Sequence, residues 1–378
     1  MARLSSSAAP FLSVIVPNYN GAATIGACLE AFSASDHAVF EVIVVDDGST
    51  DGSVELIRAF IKGRGGPAFP CRLVQLKNRR GASAARNAGA AKAAGDYLFF
   101  IDSDCLVLPE TLSAVAQAVE EHGAGTVVGG TYTLRAYDPG FFSHFQSTFI
   151  HHFETKRLHD PDYIASHAML IAADVFKTAG GFPESFMPII EDVEFSHRLR
   201  RHGFALRMDP RILVRHVFNY DLRRSWQNAW RKSRYWTTYS LGNRDLLADS
   251  GTASRELKIN VVAWAVSAVL LLLGLVLLLT GPETAALAGE AVGGAGAGGN
   301  GDPAAAGASP WALWLTVLVV QAANWLEQRP LLAAFGRAGG SGFALAAGLY
   351  YTLLYPLPVG LGALRGMLGY LAGEGDGR

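Results

Sequence analysis

Ile259–Thr280 runs for 22 residues without a charge. As an α-helix it reaches about 33 Å, enough to cross a hydrocarbon layer of roughly 30 Å. No water is available there to the backbone, so a spanning segment must be a helix or part of a closed barrel. The run therefore divides the chain. The part before it is expected to fold in water, and the part after it belongs with the membrane. Composition agrees. Half of the 378 residues are hydrophobic and 17% are charged, against roughly 25% charged in soluble domains. The first 250 residues nevertheless read as an ordinary soluble α/β protein.

The segments after the run extend this reading. Residues 281–309 are rich in Gly and Ala and read as a flexible loop. Pro310–Leu326 is a second, shorter span. Phe343–Leu364 is a third, interrupted by Pro356 and Pro358, so that it kinks or re-enters. Between Ser196 and Lys258 there are 14 Lys/Arg against 5 Asp/Glu, an asymmetry hidden by the net charge of -1. The 281–309 loop has Glu283, Glu290 and Asp302 but no Lys or Arg, while Arg329 and Arg337 follow the second span. Positive charge favours the cytoplasmic side, which places the front domain and the loop 327–342 there and 281–309 outside. Arg365 also favours the cytoplasmic side, so the end of the third span stays open. Phe11–Val16 is too short for a signal sequence and runs into the turn Pro17–Asn20. Cys28, Cys71 and Cys105 make no CxxC pair and read as reduced thiols.

In the front domain, apolar runs at Leu12–Val16, Glu41–Val45, Arg72–Leu76 and Tyr97–Ile101 alternate with helix-forming stretches at Ala22–Phe32, Ser53–Lys62 and Ala82–Ala94. Continuous apolar strands alternating with helices predict a parallel sheet covered on both faces. Ligands of such sheets bind beyond the carboxyl ends of the strands. Acidic motifs stand at two of those ends.

Asp102-Ser103-Asp104 follows Tyr97–Ile101. Two carboxylates so spaced suit one hard cation and leave room for phosphate oxygens. Asp46-Asp47-Gly48-Ser49 follows the second strand. It reads as a tight turn or as a nucleoside site in which a carboxylate accepts from a base or a ribose. Arg86, in Arg86-Asn87-Ala88-Gly89, is placed to meet phosphate or to steady a motif carboxylate. Glu191-Asp192-Val193-Glu194 suits a helix N-terminus, where a carboxylate is rigidly placed to take a proton from a hydroxyl. His216 follows the strand-like Arg211–Arg215 and is a candidate third metal contact. His144, His151, His152 and His159 crowd an aromatic stretch at 140–160, which reads as an irregular lid or acceptor-facing segment rather than a metal cluster. Leu222–Leu241 carries Trp226, Trp230 and Trp236 among five Arg/Lys and no acid. Beside a membrane span it reads as an interfacial helix, or else as a helix packed on the domain. That position argues against nucleic-acid binding.

These elements, in order, resemble the family 2 glycosyltransferases of the GT-A fold: Val14–Asn20, Val45–Ser49, Ala85–Gly89, Asp102–Asp104, Gly180-Gly181-Phe182 and Glu191–Glu194, over roughly residues 11–220. The resemblance implies an α/β domain with a Rossmann-like mixed sheet, followed by transmembrane helices like those of bacterial membrane members. It implies an inverting transfer from a nucleoside-diphosphate sugar with a divalent metal, Mn2+ or Mg2+. In it Pro17, Tyr19, Asp46, Asp47, Arg86 and Asp102 bind the donor. Asp102, Asp104 and His216 hold the metal, and Asp192 is the base with Glu191 beside it. Processive members carry Gln-x-x-Arg-Trp. This chain has Arg234-Tyr235-Trp236 without the glutamine, which favours transfer of a single sugar. A sugar-nucleotidyltransferase would need a Gly-rich basic loop where Pro17–Gly21 stands. A polyprenyl-phosphate glycosyltransferase and a non-catalytic scaffold of the same fold remain as alternatives. The expected organisation is a tail at 1–10, a catalytic domain at 11–220, an interfacial helix and connector at 221–256, spans at 257–280, 310–326 and 343–364, and a tail at 365–378. It would be a multi-pass protein of the inner membrane with its catalytic domain in the cytoplasm and a lipid-linked or other membrane acceptor.

Overall fold

The computed structural model describes residues 9–66, 69–185, 187, 189–280 and 309–373. The expected loop 281–309, but for its last residue, and most of the tail 1–10 lie outside them, as do residues 374–378.

Strands β1 (Leu12–Asn18), β2 (Phe40–Asp46), β3 (Cys71–Gln75) and β4 (Tyr97–Ile101) pair in parallel, in the order β3-β2-β1-β4. The intervening helices are α1 (Ile25–Ser33), α2 (Ser53–Arg64) and α3 (Ala82–Ala90). This is the expected parallel half. The remaining strands make the sheet mixed: β7 (Ala168–Ala172) runs antiparallel to β4 and to β6 (Thr126–Tyr132), β8 (Ala205–His216) runs parallel to β6, and β5 (Cys105–Val107) closes the far edge antiparallel to β8.

Only Asp102, Ser103 and Asp104 join β4 to β5, yet β7, β6 and β8 stand between them in the sheet. Four strand spacings amount to about 19 Å in a flat sheet, and four Cα steps reach at most about 15 Å. The sheet must curl to bring its edge round. The curl also sets the register Cys105↔His216, which carries His216 to the side of Asp104.

Helix α4 (Thr111–His122) packs on β8. Helix α5 (Phe141–Glu154) occupies the stretch expected to be irregular. Its turn spacing separates two roles. Phe145 and Phe149 pack on Phe335, Tyr350 and Tyr355 of the C-terminal helices, while Gln146, Ile150 and Glu154, with Phe149 at the border, line a cavity. The aromatic crowding is thus a helix–helix seam, and the stripe from Gln146 to Glu154 turns to the site with Phe149 and Tyr355 where the two meet. Helices α6 (Ala173–Thr178) and α7 (Glu191–Arg201) complete the domain.

The C-terminal part comprises α8 (Leu222–Asn243), α9 (Arg255–Thr280), α10 (Pro310–Glu327), α11 (Arg329–Leu349), a π-turn at Tyr350–Leu354 and α12 (Pro356–Leu371). Asp221 caps α8, accepting from Arg224 N at 2.7 Å. Glycines let α8 meet α12 backbone to backbone: a Cβ at Gly362 would strike the Trp230 carbonyl, and one at Gly366 the Arg234 carbonyl. Ser225 and Tyr350 hydroxyls pair at 2.8 Å, and Ser233 Oγ donates to Val359 O at 2.6 Å. Trp226 packs against the core cluster, so it does not share a lipid-facing stripe with the exposed Trp230.

Among the described residues, two stretches are long and apolar enough to cross a membrane, Arg255–Leu279 and Arg329–Leu371. The second, which breaks at Gly340 (φ 78°), contains the expected third span. It also contains most of 327–342, expected as a loop; that stretch is helical from Arg329, where Pro330 suits a helix start. The expected span 310–326 is helical but outside that pair, because Gln321, Asn324 and Glu327 dilute it. Its amides face inward: Asn324 Nδ2 donates to Asn260 Oδ1 and Gln321 Nε2 to Ser267 Oγ, each at 2.8 Å.

Candidate active site

The motifs assemble through contacts between them. Asn87 on α3 clips the Gly180-Gly181-Phe182 loop, its Oδ1 accepting from Phe182 N at 2.9 Å and its Nδ2 donating to Phe182 O at 2.8 Å. Gly180 and Gly181 both take positive φ, 80° and 69°, which only glycine adopts freely. One residue earlier on α3, Arg86 is buried. Its guanidinium donates to Asp102 Oδ1 and to Glu191 Oε1, both at 2.7 Å. Arg86 therefore ties the end of β4 to the start of α7. Ile190, just before Glu191, has φ 68°, a costly conformation for a β-branched residue that fixes where the two acids point.

Asp192 accepts from Ser166 N at 3.1 Å. Burial, and then the negative charge of Glu191, raise its carboxyl pKa to about 6. At Asp102 burial pushes upward, but Arg86 outweighs it, with smaller help from His167 and His216, and holds the carboxyl below its usual value.

Asp104 Oδ1 stands 3.4 Å from His216 Nε2. Burial and the neighbouring Asp102 raise the Asp104 pKa despite His216, and burial lowers that of His216. A neutral imidazole is the ligating form. Its Nδ1 is buried without a partner. Cys105 joins this group with ligand atoms within 4.8 Å of one another, but burial, with Asp104 and Asp102, keeps its thiol protonated and a poor ligand. Carboxylate oxygen with imidazole nitrogen fits a divalent cation such as Mn2+ or Mg2+. A second acidic group, Glu121, His122 and Asp209, is accounted for by Arg211, which bonds both acids. His144, His151, His152 and His159 form no metal-ligand group among the described residues.

Asp46 and Asp47 are 1% and 3% exposed. Asp46 accepts from Asn18 Nδ2 at 2.9 Å and Ser49 N at 3.1 Å, and Asp47 from the backbone N–H groups of Arg80 and Gly81, both at 2.7 Å. They shape the loops round the carboxyl ends of β1 and β2. Tyr19 stands at the open edge of these loops with the Arg79 guanidinium over its ring at 4.2 Å, and Pro17 is half-buried in β1.

A cavity of about 500 Å³ begins at Arg86, Asp102, Glu191 and Asp192 and continues between α8, α9 and α12, past Trp236, Val261, Tyr355 and Val359. Gln146, Glu154 and His167 line it too. Gln146 and Glu154 fall in the 140–160 stretch read as a lid or acceptor-facing segment, but none of the three stands in a motif that the sequence marks. His167 directly precedes an apolar strand, the mirror image of an acid directly following one, and that is the one signal available for it.

Two family models match the chain: glycosyl transferase family 2 over residues 13–173 and glycosyl transferase family group 2 over residues 97–326. The chain belongs to the family 2 glycosyltransferases. It is 34% identical over 131 residues to the glycosyltransferase GlyG of Streptococcus pneumoniae, covering 35% of this chain and 42% of that one. It is 28% identical over 204 residues to the glycosyltransferase AglE of Haloferax volcanii, covering 53% of this chain and 65% of that one. The matches thus span under two thirds of those relatives' lengths. In fold it resembles the mannosyltransferase PcManGT of Pyrobaculum calidifontis, solved with GDP-Man and Mn2+, at a TM-score of 0.53 and 17% identity, covering 97% of this chain and 88% of that one.

Proposed function

We propose that this protein transfers a single sugar, with inversion, from a nucleoside-diphosphate sugar to a hydroxyl of a lipid-linked acceptor at the inner face of the cell membrane. The observation that carries the reading is the continuity of the cavity, which holds Asp102 and Asp192 and runs on between α8, α9 and α12, where Trp236, Leu257, Val261, Val262, Val359 and Ala363 line it beside Lys232, Ser233, Thr237 and Lys258. Val262, among them, is 62% exposed on α9. Such a shape suits an amphiphile with its reacting group among the carboxylates.

The roles follow from the contacts. Pro17 and Tyr19 edge the nucleoside pocket, which Asp46 and Asp47 shape. Arg86 holds Asp102 toward the donor. Glu191 is engaged by Arg86, which leaves Asp192 to take the proton of the attacking hydroxyl. A divalent cation held by Asp104 and His216, with Asp102 beside them, would supply positive charge to the departing diphosphate. One displacement by the hydroxyl inverts the anomeric carbon. A polyprenyl phosphate acceptor, the competing reading, would need no base and would meet Asp102, Glu191 and Asp192 as like charges. Helices α9 and α11–α12 as membrane spans, with the catalytic domain in the cytoplasm, are part of the same proposal. The inward-facing amides of α10 and the exposed apolar face of α9 support it.

The test is nucleoside diphosphate release by purified protein in detergent, with Mn2+ or Mg2+, over a panel of donors. Release with at least one donor, reduced about 100-fold or more by Asp104→Ala, is expected. No release with any donor, or release unchanged by Asp104→Ala, would sink the reading.

A further inference from the structure

Two polar atoms in the cavity wall have no hydrogen-bond partner. Gln146 is 2% exposed, and its Oε1 accepts nothing. His167 is 7% exposed, and its Nε2 lies 3.4 Å from Glu154 Oε2 without the alignment of a hydrogen bond. Buried polar atoms are nearly always bonded, so an unpaired amide oxygen and an imidazole nitrogen held only by a long ion pair, in two residues that line the same cavity, point to something that completes them.

Their surroundings hold them in place. The His167 imidazole stacks on the Tyr132 ring at 4.0 Å between centroids. Glu154 accepts from Thr131 Oγ1 at 2.7 Å. Gln146 and Glu154 lie two turns apart on one stripe of α5. Beside His167, the Ser166 N–H donates to Asp192, so the cluster adjoins the proposed base.

The cluster is chemically mixed: an amide oxygen that accepts, a carboxylate that accepts, and an imidazole nitrogen. An imidazole ring carries an N–H donor in either protonation state. Hydroxyl groups both give and take hydrogen bonds and match such a set. A phosphate only accepts at neutral pH, and it would face Glu154, Glu191, Asp102 and Asp192. Two of the cations that line the cavity are already engaged, Arg86 by Asp102 and Glu191 and Lys258 by the carbonyls of Ala248 and Ala253. Lys232 also lines it, which makes a lipid phosphate the occupant to test against.

We propose that Gln146, Glu154 and His167 form a binding site for a polyhydroxyl headgroup: the acceptor already carries a sugar on its hydrocarbon chain, and this site presents that sugar's hydroxyl to Asp192. The proposal rests on the reading of the protein as a transferase to a membrane-borne hydroxyl. Replacing Gln146 by leucine removes a bare acceptor at little steric change, so the fold should hold.

The experiment measures binding without donor or metal, so that it reads independently of transfer. The full chain in lipid nanodiscs is titrated calorimetrically with hexyl glucoside, galactoside and mannoside and with hexyl phosphate, against empty nanodiscs. At least one glycoside should bind saturably, with affinity falling about tenfold in Gln146→Leu and in His167→Phe, and hexyl phosphate should bind more weakly. The unfolding temperature of Gln146→Leu should equal or exceed that of the unaltered protein. Hexyl phosphate binding as tightly as the glycosides, glycoside affinity unchanged in both variants, saturable binding of no glycoside, or a clearly lower unfolding temperature for Gln146→Leu would each overturn the proposal. Failure of donor turnover with glycoside binding intact would count against the transferase reading and leave this site standing.

Discussion

At Asp192, burial and the neighbouring Glu191 act in the same direction, and the carboxyl rises to about 6. The proposed base works only when deprotonated, so transfer should climb with pH through about 6. The free-enzyme kcat/KM profile reports that limb. Glu191→Gln removes a raising charge and should move the limb to lower pH, whereas a limb that stays put would assign it to another group. Asp192→Asn should cost about 10²- to 10⁴-fold in transfer. The same shift acts on stability. The folded state holds this proton more tightly than the unfolded chain does. The group therefore favours folding fully below its ordinary pKa near 4, and that contribution is lost as pH rises through about 6. Asp192→Asn should accordingly stabilise the protein at pH 7 by on the order of 1 kcal/mol, with the gain fading toward pH 4. Thermal unfolding across that range checks the sign.

Among the elements, α3 shows how a motif glycine serves the site without touching it. A Cβ on Gly89 would stand 2.5 Å from Ile15 Cγ2 and 3.0 Å from Val45 Cγ2. The helix can lie close on β1 and β2 only because that Cβ is missing, and this depth carries Arg86 between Asp102 and Glu191. Gly89→Ala should destabilise by about 1–3 kcal/mol as the helix is pushed off the sheet, and it should lower turnover as well. An unchanged unfolding temperature would show that the contact relaxes. The parallel strands and their terminal acids are legible in the sequence because a strand buried on both faces writes an unbroken apolar run. The place of His167 is not, because it depends on a pairing between distant segments. The register Ile101↔Ala168 sets His167 beside Asp102 across the strand ends, and apart from the apolar strand that follows it nothing local announces the pairing. The irregular segment expected at 140–160 fails for a related reason. Its phenylalanines belong to a helix whose partners, Phe335, Tyr350 and Tyr355, lie about two hundred residues on.

On the scale of the whole molecule, the C-terminal helices form one wall of the cavity as well as candidate spans. The close packing of α8 on α12 at Gly362 and Gly366 places Ala363 in the cavity wall, opposite the carboxylates' end. If the apolar arm receives the hydrocarbon chain of an acceptor, narrowing it should discriminate by chain length. Ala363→Leu adds three carbons to that wall. It should lower transfer to a long-chain acceptor about tenfold, since one or two displaced methylene contacts are worth roughly 1–2 kcal/mol, and should leave transfer to a short-chain acceptor of the same headgroup within about twofold. The ratio of the two rates is the measurement, because a general loss of folding or of donor binding lowers both together. A ratio unchanged by Ala363→Leu, with the unfolding temperature preserved, would place the hydrocarbon chain outside this arm and leave α8, α9 and α12 as a membrane anchor alone.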